Sequence, residues 1–388
     1  GGYEDNDMAS TFKVAKKLIT GENGLALLAS EVAALGMKNP VILTDKILVE
    51  LGVAERVAGV LGLDQVEIYS EILPEPEYGA VENCSQYVKE QGFDGLIALG
   101  GGSVIDTAKV VSFYTTYDGA LDDLVGSDLV PFKGLPLIAI PTTAGTGSEV
   151  TNVAVLSDTK AQVKKGIASD YLLPDVAIVA PEMMLPMPPS VTAASGIDAL
   201  IHAVESYISI NASEITESLA LKAIGMIAQN LEIAYREPNH LHAREQMATA
   251  SLMAGMAFGN SGLGAVHALA LPLGGRHHIT HGISTALLLL PVMEWNKSAC
   301  MEKMRDIALA FGQSVEGLSL EACADLAVES MRVLCENVGI QLGLENYNIP
   351  KEDLPVMAAE AIKIERILKN NPRKLSVEDI EAIYTAAY

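Results

Sequence analysis

The sequence predicts an α/β domain with a parallel sheet, followed by an all-helical domain. In the first half, short apolar runs alternate with helical segments, the order that is typical of a parallel sheet covered by helices on both faces. From residue 189 onward the strand patterns disappear and helical periodicity continues. A length of 388 residues exceeds one core of ordinary size, so we expect two domains, residues 1–186 and residues 187–388.

Four apolar runs in the first half are typical of buried parallel strands. They occupy residues 40–45, 65–69, 95–99 and 135–140, and helices are predicted between them over residues 47–61 and 78–91. Because the carboxyl ends of parallel strands lie at one edge of the sheet, ligands of such a domain bind outside that edge.

Two loops rich in glycine and hydroxyl groups follow the third and fourth predicted strands. Residues 100–103 read Gly-Gly-Gly-Ser and open a helix, whose N-terminus and flexible backbone suit a phosphate. Residues 141–149 bring threonines and glycines to the neighbouring position. Either loop alone is compatible with a tight turn, but the two together predict a diphosphate site. The G-x-G-x-x-G pattern of an ordinary Rossmann domain is missing.

Asp45 ends the first predicted strand and allows two interpretations. Its carboxylate could accept hydrogen bonds from the ribose of a dinucleotide, which would favour NAD over NADP. An Asp at this position is equally typical of a helix N-cap.

The pattern of the second half predicts a series of helices with two glycine-rich breaks, at residues 259–262 and 274–276. Asp198 and His202 are four residues apart, so that both lie on one face of the first helix. Alone, such a pair is more often a hydrogen-bonded surface pair than a ligand pair. His267 and His281 follow, and one carboxylate with three imidazoles suits a single divalent ion such as iron or zinc.

Composition excludes several classes of partner. A net charge of -23 argues against nucleic acid and against an anionic membrane surface. No apolar run is long enough to span a bilayer, and no leader pattern opens the chain. The four cysteines lack metal-ligand spacing and are expected to be reduced and buried. We therefore expect a cytoplasmic enzyme.

These motifs resemble the iron-containing, or group III, alcohol dehydrogenases, a family that includes lactaldehyde reductases and propanediol dehydrogenases. The resemblance covers nearly the whole chain, through residues 43–46, 100–109, 141–151, 196–207 and 258–282. It implies a dinucleotide-binding domain, a helical metal-binding domain and an active site in the cleft between them. It also implies NAD(H), one divalent metal (Fe(II) first, Zn(II) next) and a homo-oligomer.

The resemblance assigns roles to individual positions. Asp198, His202, His267 and His281 match the metal ligands of the family, and Phe258 matches an aromatic residue of the substrate pocket. The residues that match cofactor contacts are Asp45, Gly101, Gly102, Ser103, Asp106, Thr142, Thr143, Thr146 and Lys164.

One departure from the family changes the expected proton transfer. Leu271 stands where many members have a histidine four residues after the third ligand, so a relay taken from relatives is in doubt. His277 or His278 could relay the proton instead. The neighbouring Arg276 could hold an anionic substrate in the pocket, although a solvated turn would explain the same three residues.

The expected activity is metal-dependent, NAD(H)-linked hydride transfer between a short alcohol or diol and its aldehyde, or between an anionic hydroxy compound and its carbonyl form. Two alternatives remain: a dehydroquinate-synthase-like lyase that uses NAD and a metal, and a dinucleotide sensor without catalysis. The lyase would need several basic residues in the cleft, yet Arg276 is the only Arg or Lys between residues 259 and 283. A sensor would have no need of four metal ligands.

Overall fold

The computed structural model describes residues 9–63 and 65–388, and its N-terminal part is built on a six-stranded parallel sheet. The strands of this sheet are β1 (Lys17–Thr20), β2 (Pro40–Leu43), β3 (Glu67–Tyr69), β4 (Gly95–Gly100), β6 (Leu137–Pro141) and β9 (Val176–Val179). Their order is β1-β9-β6-β4-β2-β3, and every neighbouring pair is parallel. A second sheet of order β5-β8-β7 contains β5 (Gly126–Ser127), β7 (Val153–Asp158) and β8 (Val163–Ala168).

Five helices accompany the six-stranded sheet, and apolar clusters fill both of its faces. They are α1 (Leu28–Ala34), α2 (Lys46–Glu50), α3 (Val53–Val60), α4 (Tyr78–Gln91) and α5 (Gly102–Tyr114). The helix predicted over residues 47–61 is in fact two helices, because Gly52 between them adopts a left-handed backbone with φ of 77°.

The sequence patterns found four strands and missed five. Of the four predicted strands, β2, β4 and β6 are fully buried neighbours in the sheet, whereas β3 lies at its edge. Strand β1 lies at the sheet edge with two of its four residues exposed, and β8 contains two lysines, so neither gives a continuous apolar run. The α/β architecture with a parallel sheet is nevertheless confirmed.

From residue 189 onward the described chain is helical. The helices are α6 (Pro189–Ile208), α7 (Glu214–Arg236), α8 (Leu241–Ser261), α9 (Ala265–His277), α10 (His281–Asn296), α11 (Met301–Ala310), α12 (Leu320–Asn337), α13 (Asp353–Ala361), α14 (Glu365–Leu368) and α15 (Val377–Ala387). No helix within residues 9–63 and 65–388 is both long and apolar enough to cross a bilayer. The fold of this half agrees with the prediction, while the domain boundary after residue 186 stays a prediction.

Helix α9 is longer than its sequence pattern indicates. The predicted break at residues 274–276 is wrong, because α9 continues through Pro272 and Gly274 to His277. Gly274 lies close to a neighbouring strand: a Cβ added there would sit 3.1 Å from the Lys164 ammonium nitrogen on β8. The glycine therefore makes room for a close contact and does not end the helix.

Helix α6 is central to the helical half, and Arg244 of α8 fixes where it begins. Every residue of α6 from 196 to 208 is buried, among α7, α8 and α10. The Arg244 guanidinium is 1% exposed and donates to Met187 O at 3.1 Å, Thr192 Oγ1 at 2.7 Å and Pro238 O at 2.9 Å. It thereby ties the segment that precedes α6, and the first turn of α6, to α8.

We expect Arg244→Met to lower the free energy of unfolding by about 2–4 kcal/mol, because three hydrogen bonds from a charged donor are lost and their buried acceptors are left unpaired. Arg236→Met is the control, since Arg236 is 63% exposed and forms a surface ion pair with Glu232. That change should cost less than about 1 kcal/mol. Urea unfolding followed by circular dichroism compares the two, and equal shifts of the midpoint would contradict the role of Arg244.

Candidate active site

Four side chains from three helices converge in the helical half. Asp198, His202, His267 and His281 each offer a ligand atom, and these atoms all lie within 4.8 Å of one another. Asp198 Oδ1 lies 3.6 Å from His202 Nε2, 3.3 Å from His267 Nε2 and 3.2 Å from His281 Nε2. The structure therefore brings together all four residues that the sequence singled out as metal ligands.

The positions of these side chains follow from the helices that carry them. Asp198 and His202 lie one turn apart in the buried middle of α6. His267 lies in the first turn of α9, and His281 is the first residue of α10. Three of the side chains are almost fully buried, whereas that of His281 is 40% exposed, so the group opens on the His281 side.

Neighbouring groups orient two of the imidazoles so that one nitrogen of each faces the centre. His202 Nδ1 lies 3.1 Å from Gly145 O, and His267 Nδ1 lies 2.6 Å from Glu205 Oε1. Because a backbone carbonyl can only accept, His202 carries its proton on Nδ1 and leaves Nε2 as a lone pair. His267 Nε2 is buried and has no hydrogen-bond partner among the described residues. An orphaned ring nitrogen beside a carboxylate and two further imidazoles fits a divalent ion such as iron or zinc.

The charges of this group are strongly coupled. For the protein chain alone, burial lowers the pKa of His202 to about 3. Burial also opposes charge on His267, but its contacts with Asp198 and Glu205 prevail and raise its pKa to about 9. Burial alone would raise the pKa of Asp198, yet the surrounding imidazoles hold it well below its usual value. The Asp198 carboxylate therefore stays ionised beside the ring nitrogens that would bind a cation.

The two predicted diphosphate loops lie side by side at the carboxyl edge of the sheet. Strands β4 and β6 are neighbours, and Thr142 N donates to Gly100 O at 3.0 Å where the two loops begin. A Cβ added to Gly102 would lie 2.6 Å from Thr146 Cγ2, and one added to Gly101 would lie 3.4 Å from the Thr143 side chain. At Gly102 a side chain would therefore collide with Thr146, and this glycine is the first residue of α5, whose N-terminus suits an anion.

Three of the predicted cofactor residues use their side chains within the protein. Ser103 Oγ donates to Pro74 O at 2.5 Å. Asp106 accepts from Ser148 Oγ at 2.5 Å and from Val155 N at 3.1 Å, an arrangement that favours a role in holding the second loop. Asp45 Oδ1 accepts from Leu48 N at 2.9 Å, so the N-cap interpretation holds in this structure. Their contacts with a cofactor stay predictions.

Lys164 and Phe258 have different surroundings. Lys164 lines a cleft of about 210 Å³ together with Gly274 and Arg276, and burial lowers its pKa. The ring of Phe258 lies 4.3 Å from that of His202, measured between centroids. Phe258 therefore contributes an apolar surface next to the candidate metal group.

Arg276, His277 and His278 do not join the four-residue group. Because α9 continues, the first two occupy its last turn, and each faces a carboxylate of α13: Arg276 Nε lies 3.1 Å from Glu360 Oε1, and His277 Nε2 lies 3.0 Å from Asp353 Oδ2. The side chain of His278 is 76% exposed, with Nδ1 3.6 Å from Glu75 Oε2. Arg276 and His277 thus each lie beside a carboxylate of α13, and the three catalytic or binding roles stay predictions.

The sequence reasoning missed Glu205, Gly145 and Thr285, the residues that contact the four-residue group from outside. Glu205 stands seven residues after Asp198 and three after His202, the spacing that continues one face of a helix, so its position could have been predicted. Thr285 Oγ1 donates to Asp198 Oδ1 at 3.3 Å, a contact that no spacing reveals.

Comparison with known proteins shows the same architecture elsewhere. The iron-containing alcohol dehydrogenase family model matches residues 15–181, and the model of the C-terminal part of that family matches residues 192–388. Long-chain-alcohol dehydrogenase 1 of Geobacillus thermodenitrificans is 41% identical over 373 residues, which cover 95% of this chain and 94% of the relative.

Two solved structures are similar over nearly the whole chain. A 1,3-propanediol oxidoreductase superposes with a TM-score of 0.95 at 36% identity, covering 98% of this chain and 100% of the other. A sulfoacetaldehyde reductase from Bifidobacterium kashiwanohense in complex with NAD+ has a TM-score of 0.88 at 30% identity, covering 98% of this chain and 99% of the other.

A parallel-sheet half with paired anion loops, joined to a helical half with a buried carboxylate–imidazole group, defines a metal-dependent dinucleotide oxidoreductase. The similar proteins are named as alcohol oxidoreductases or aldehyde reductases. The chain belongs to the iron-containing alcohol dehydrogenase family, and it is an oxidoreductase acting on alcohols or aldehydes. NAD(H) and an iron ion are the cofactors of this family.

His267→Ala should reduce the affinity for a divalent metal by more than about 100-fold, because it removes one of four converging donors. His277→Ala, in the same helix, is the matched control and should keep the parent affinity. Metal content after dialysis against a weak chelator, measured by elemental analysis, separates the variants. Stoichiometric metal in His267→Ala would refute the assignment of His267 as a ligand.

Proposed function

We propose that this protein interconverts a short-chain alcohol or diol and the corresponding aldehyde, with NAD(H) as hydride carrier and one metal ion held by Asp198, His202, His267 and His281. One observation carries the proposal: His202 contacts the carbonyl of Gly145, a residue of the second diphosphate loop, at 3.1 Å. The candidate metal group therefore adjoins the loops that would hold the cofactor.

Each part of the site has its own role in the proposed reaction. A divalent metal, when bound, supplies a Lewis acid that lowers the pKa of an alcohol hydroxyl. The backbone N–H groups at the start of α5, with Thr142 and Thr146, would fix the diphosphate and thereby align the nicotinamide. Phe258 excludes water beside His202, and the exposed side of His281 marks the direction from which a substrate approaches.

Iron(II) is the metal we favour, with zinc(II) next. Imidazole and carboxylate donors accept both ions, so the donor set alone does not select between them, and availability in the cell decides. Membership of the iron-containing family supports iron.

The ion pair formed by Arg276 also bears on the nature of the substrate. Arg276 pairs with Glu360, which supports a neutral alcohol, diol or aldehyde in preference to an anionic hydroxy compound. The same ion pair argues against the lyase, because a phosphorylated substrate would need several unpaired cationic side chains. A homo-oligomeric state rests on the resemblance to the family and a cytoplasmic location rests on composition, and both stay predictions.

The decisive experiment follows NADH absorbance in protein purified without air. We expect turnover of NAD with short alcohols and diols, complete loss after treatment with a strong chelator, and recovery with Fe(II). The substrate panel pairs each diol with a hydroxy acid of the same length, and kcat/KM should be higher for the diol. Absence of NADH formation with every alcohol, together with tight NAD binding, would identify a sensor; release of inorganic phosphate from a sugar phosphate would identify a lyase.

Asp45→Ser separates the two roles of Asp45, because serine keeps the N-cap and removes the charge. Without that charge a 2′-phosphate is repelled less, so the ratio of kcat/KM for NAD over NADP should fall by about tenfold or more, equivalent to about 1.4 kcal/mol. Glu55→Ser removes an equal charge from an exposed position of α3 and should leave the ratio unchanged. If both variants keep the parent ratio, Asp45 is only a helix cap.

A further inference from the structure

We propose that Glu205 is a positioning residue of the metal site: it fixes the tautomer and orientation of His267 and supplies the second negative charge that balances a divalent ion. The inference rests on the proposed assignment of His267 as a ligand. Glu205 is a buried carboxylate, 2% exposed, and lies on the same helix and the same face as Asp198 and His202.

Both oxygens of Glu205 are committed to the start of α9. Oε1 lies 2.6 Å from His267 Nδ1 and 3.3 Å from His267 N, and Oε2 accepts from Val266 N at 2.9 Å. A carboxylate can only accept, so His267 must carry a proton on Nδ1. In the neutral ring, the form that can bind a metal, the lone pair then resides on Nε2, the ring nitrogen that faces Asp198 Oδ1 at 3.3 Å.

The first turn of α9 is shaped around this carboxylate. Gly264 precedes the helix, and a Cβ added there would lie 2.8 Å from Glu205 Oε2 and 2.9 Å from Asn371 Oδ1. Asn371 accepts from Ala265 N at 3.1 Å, so the first three N–H groups of the helix all find side-chain acceptors. Glu205 therefore anchors the backbone of His267 as well as its ring.

The second argument is electrostatic. Asp198 and Glu205 are both buried and contact opposite nitrogens of the His267 ring, and among the described residues neither lies within 4 Å of a Lys or Arg side chain. Two carboxylates balance the two positive charges of a divalent ion, whereas Asp198 alone would leave an excess positive charge in a buried site. A ligand imidazole that donates its other N–H to a carboxylate is the recurrent arrangement at metal sites in proteins.

The test compares Glu205→Gln with Asp306→Asn in otherwise unchanged full-length protein. In the glutamine variant one carboxylate oxygen becomes an NH2 group, which can only donate. If this group faces Val266 N–H, two donors oppose each other. If it faces His267 Nδ1, the ring must accept there and its tautomer is reversed. Asp306 is the matched control, because it accepts a hydrogen bond from Tyr207 of α6 at 2.5 Å and touches no candidate ligand. Metal affinity is measured by titration with Zn(II) against a chelator, and NADH affinity by fluorescence at saturating metal.

We expect Glu205→Gln to lose about 10–100-fold in Zn(II) affinity while its NADH affinity changes by less than about threefold. Asp306→Asn should change neither. The inference is wrong if Glu205→Gln binds Zn(II) within about threefold of the parent, or if metal and NADH affinities fall by the same factor, as a purely structural role requires. His267→Ala is the third arm: if it binds Zn(II) as tightly as the parent, the proposed ligand set fails instead.

A measurement on the parent protein covers the case in which Glu205→Gln does not fold. Nitrogen-15 NMR of the Zn(II)-loaded protein reports which ring nitrogen of His267 carries the proton. We expect a hydrogen-bonded proton on Nδ1 and none on Nε2, and the opposite tautomer would overturn the inference.

Discussion

The structure depends on the burial of one carboxylate, that of Asp198, in the middle of a helical core. An ionised group there is costly unless it is paired, and the molecule surrounds it with three imidazoles and the hydroxyl of Thr285. Helix α6 must therefore run through the centre of the helical half, and α9 and α10 must both begin beside it. The helices that carry no site residue pack around this arrangement.

A second buried charge supports the other half of the active site. The Lys109 ammonium of α5 donates to Thr151 Oγ1 at 3.0 Å and to Val153 O at 2.9 Å, below the second diphosphate loop. Burial lowers its pKa to about 8 and raises that of the nearby Glu149 to about 7. These contacts tie α5 to β7, next to the second diphosphate loop. Buried charged groups therefore shape both halves of the site.

Local periodicity predicted β2, β3, β4 and β6 and the order of the two halves, and the resemblance to the family identified the four candidate ligands. The patterns did not predict β1 and β8, whose polar side chains interrupt the apolar run. They also missed β7, the buried apolar strand β9, and the continuation of α9 through Pro272 and two glycines. There tertiary contacts decide: Gly274 is placed by the proximity of Lys164, which lies about 110 residues earlier in sequence. The pairing of Arg276 with Glu360 is likewise a long-range contact that charge patterning cannot reveal.

The spread of the site over three helices also constrains the order in which the protein folds. Asp198, His202 and Glu205 lie within two turns of α6, but His267 and His281 follow about 60 to 80 residues later in the chain. Until those residues are synthesised, α6 exposes two carboxylates that its apolar neighbours cannot accommodate, so its face cannot be fully desolvated. We therefore expect closure of the helical core to require α9 and α10, a long-range step that local helix formation alone would not impose.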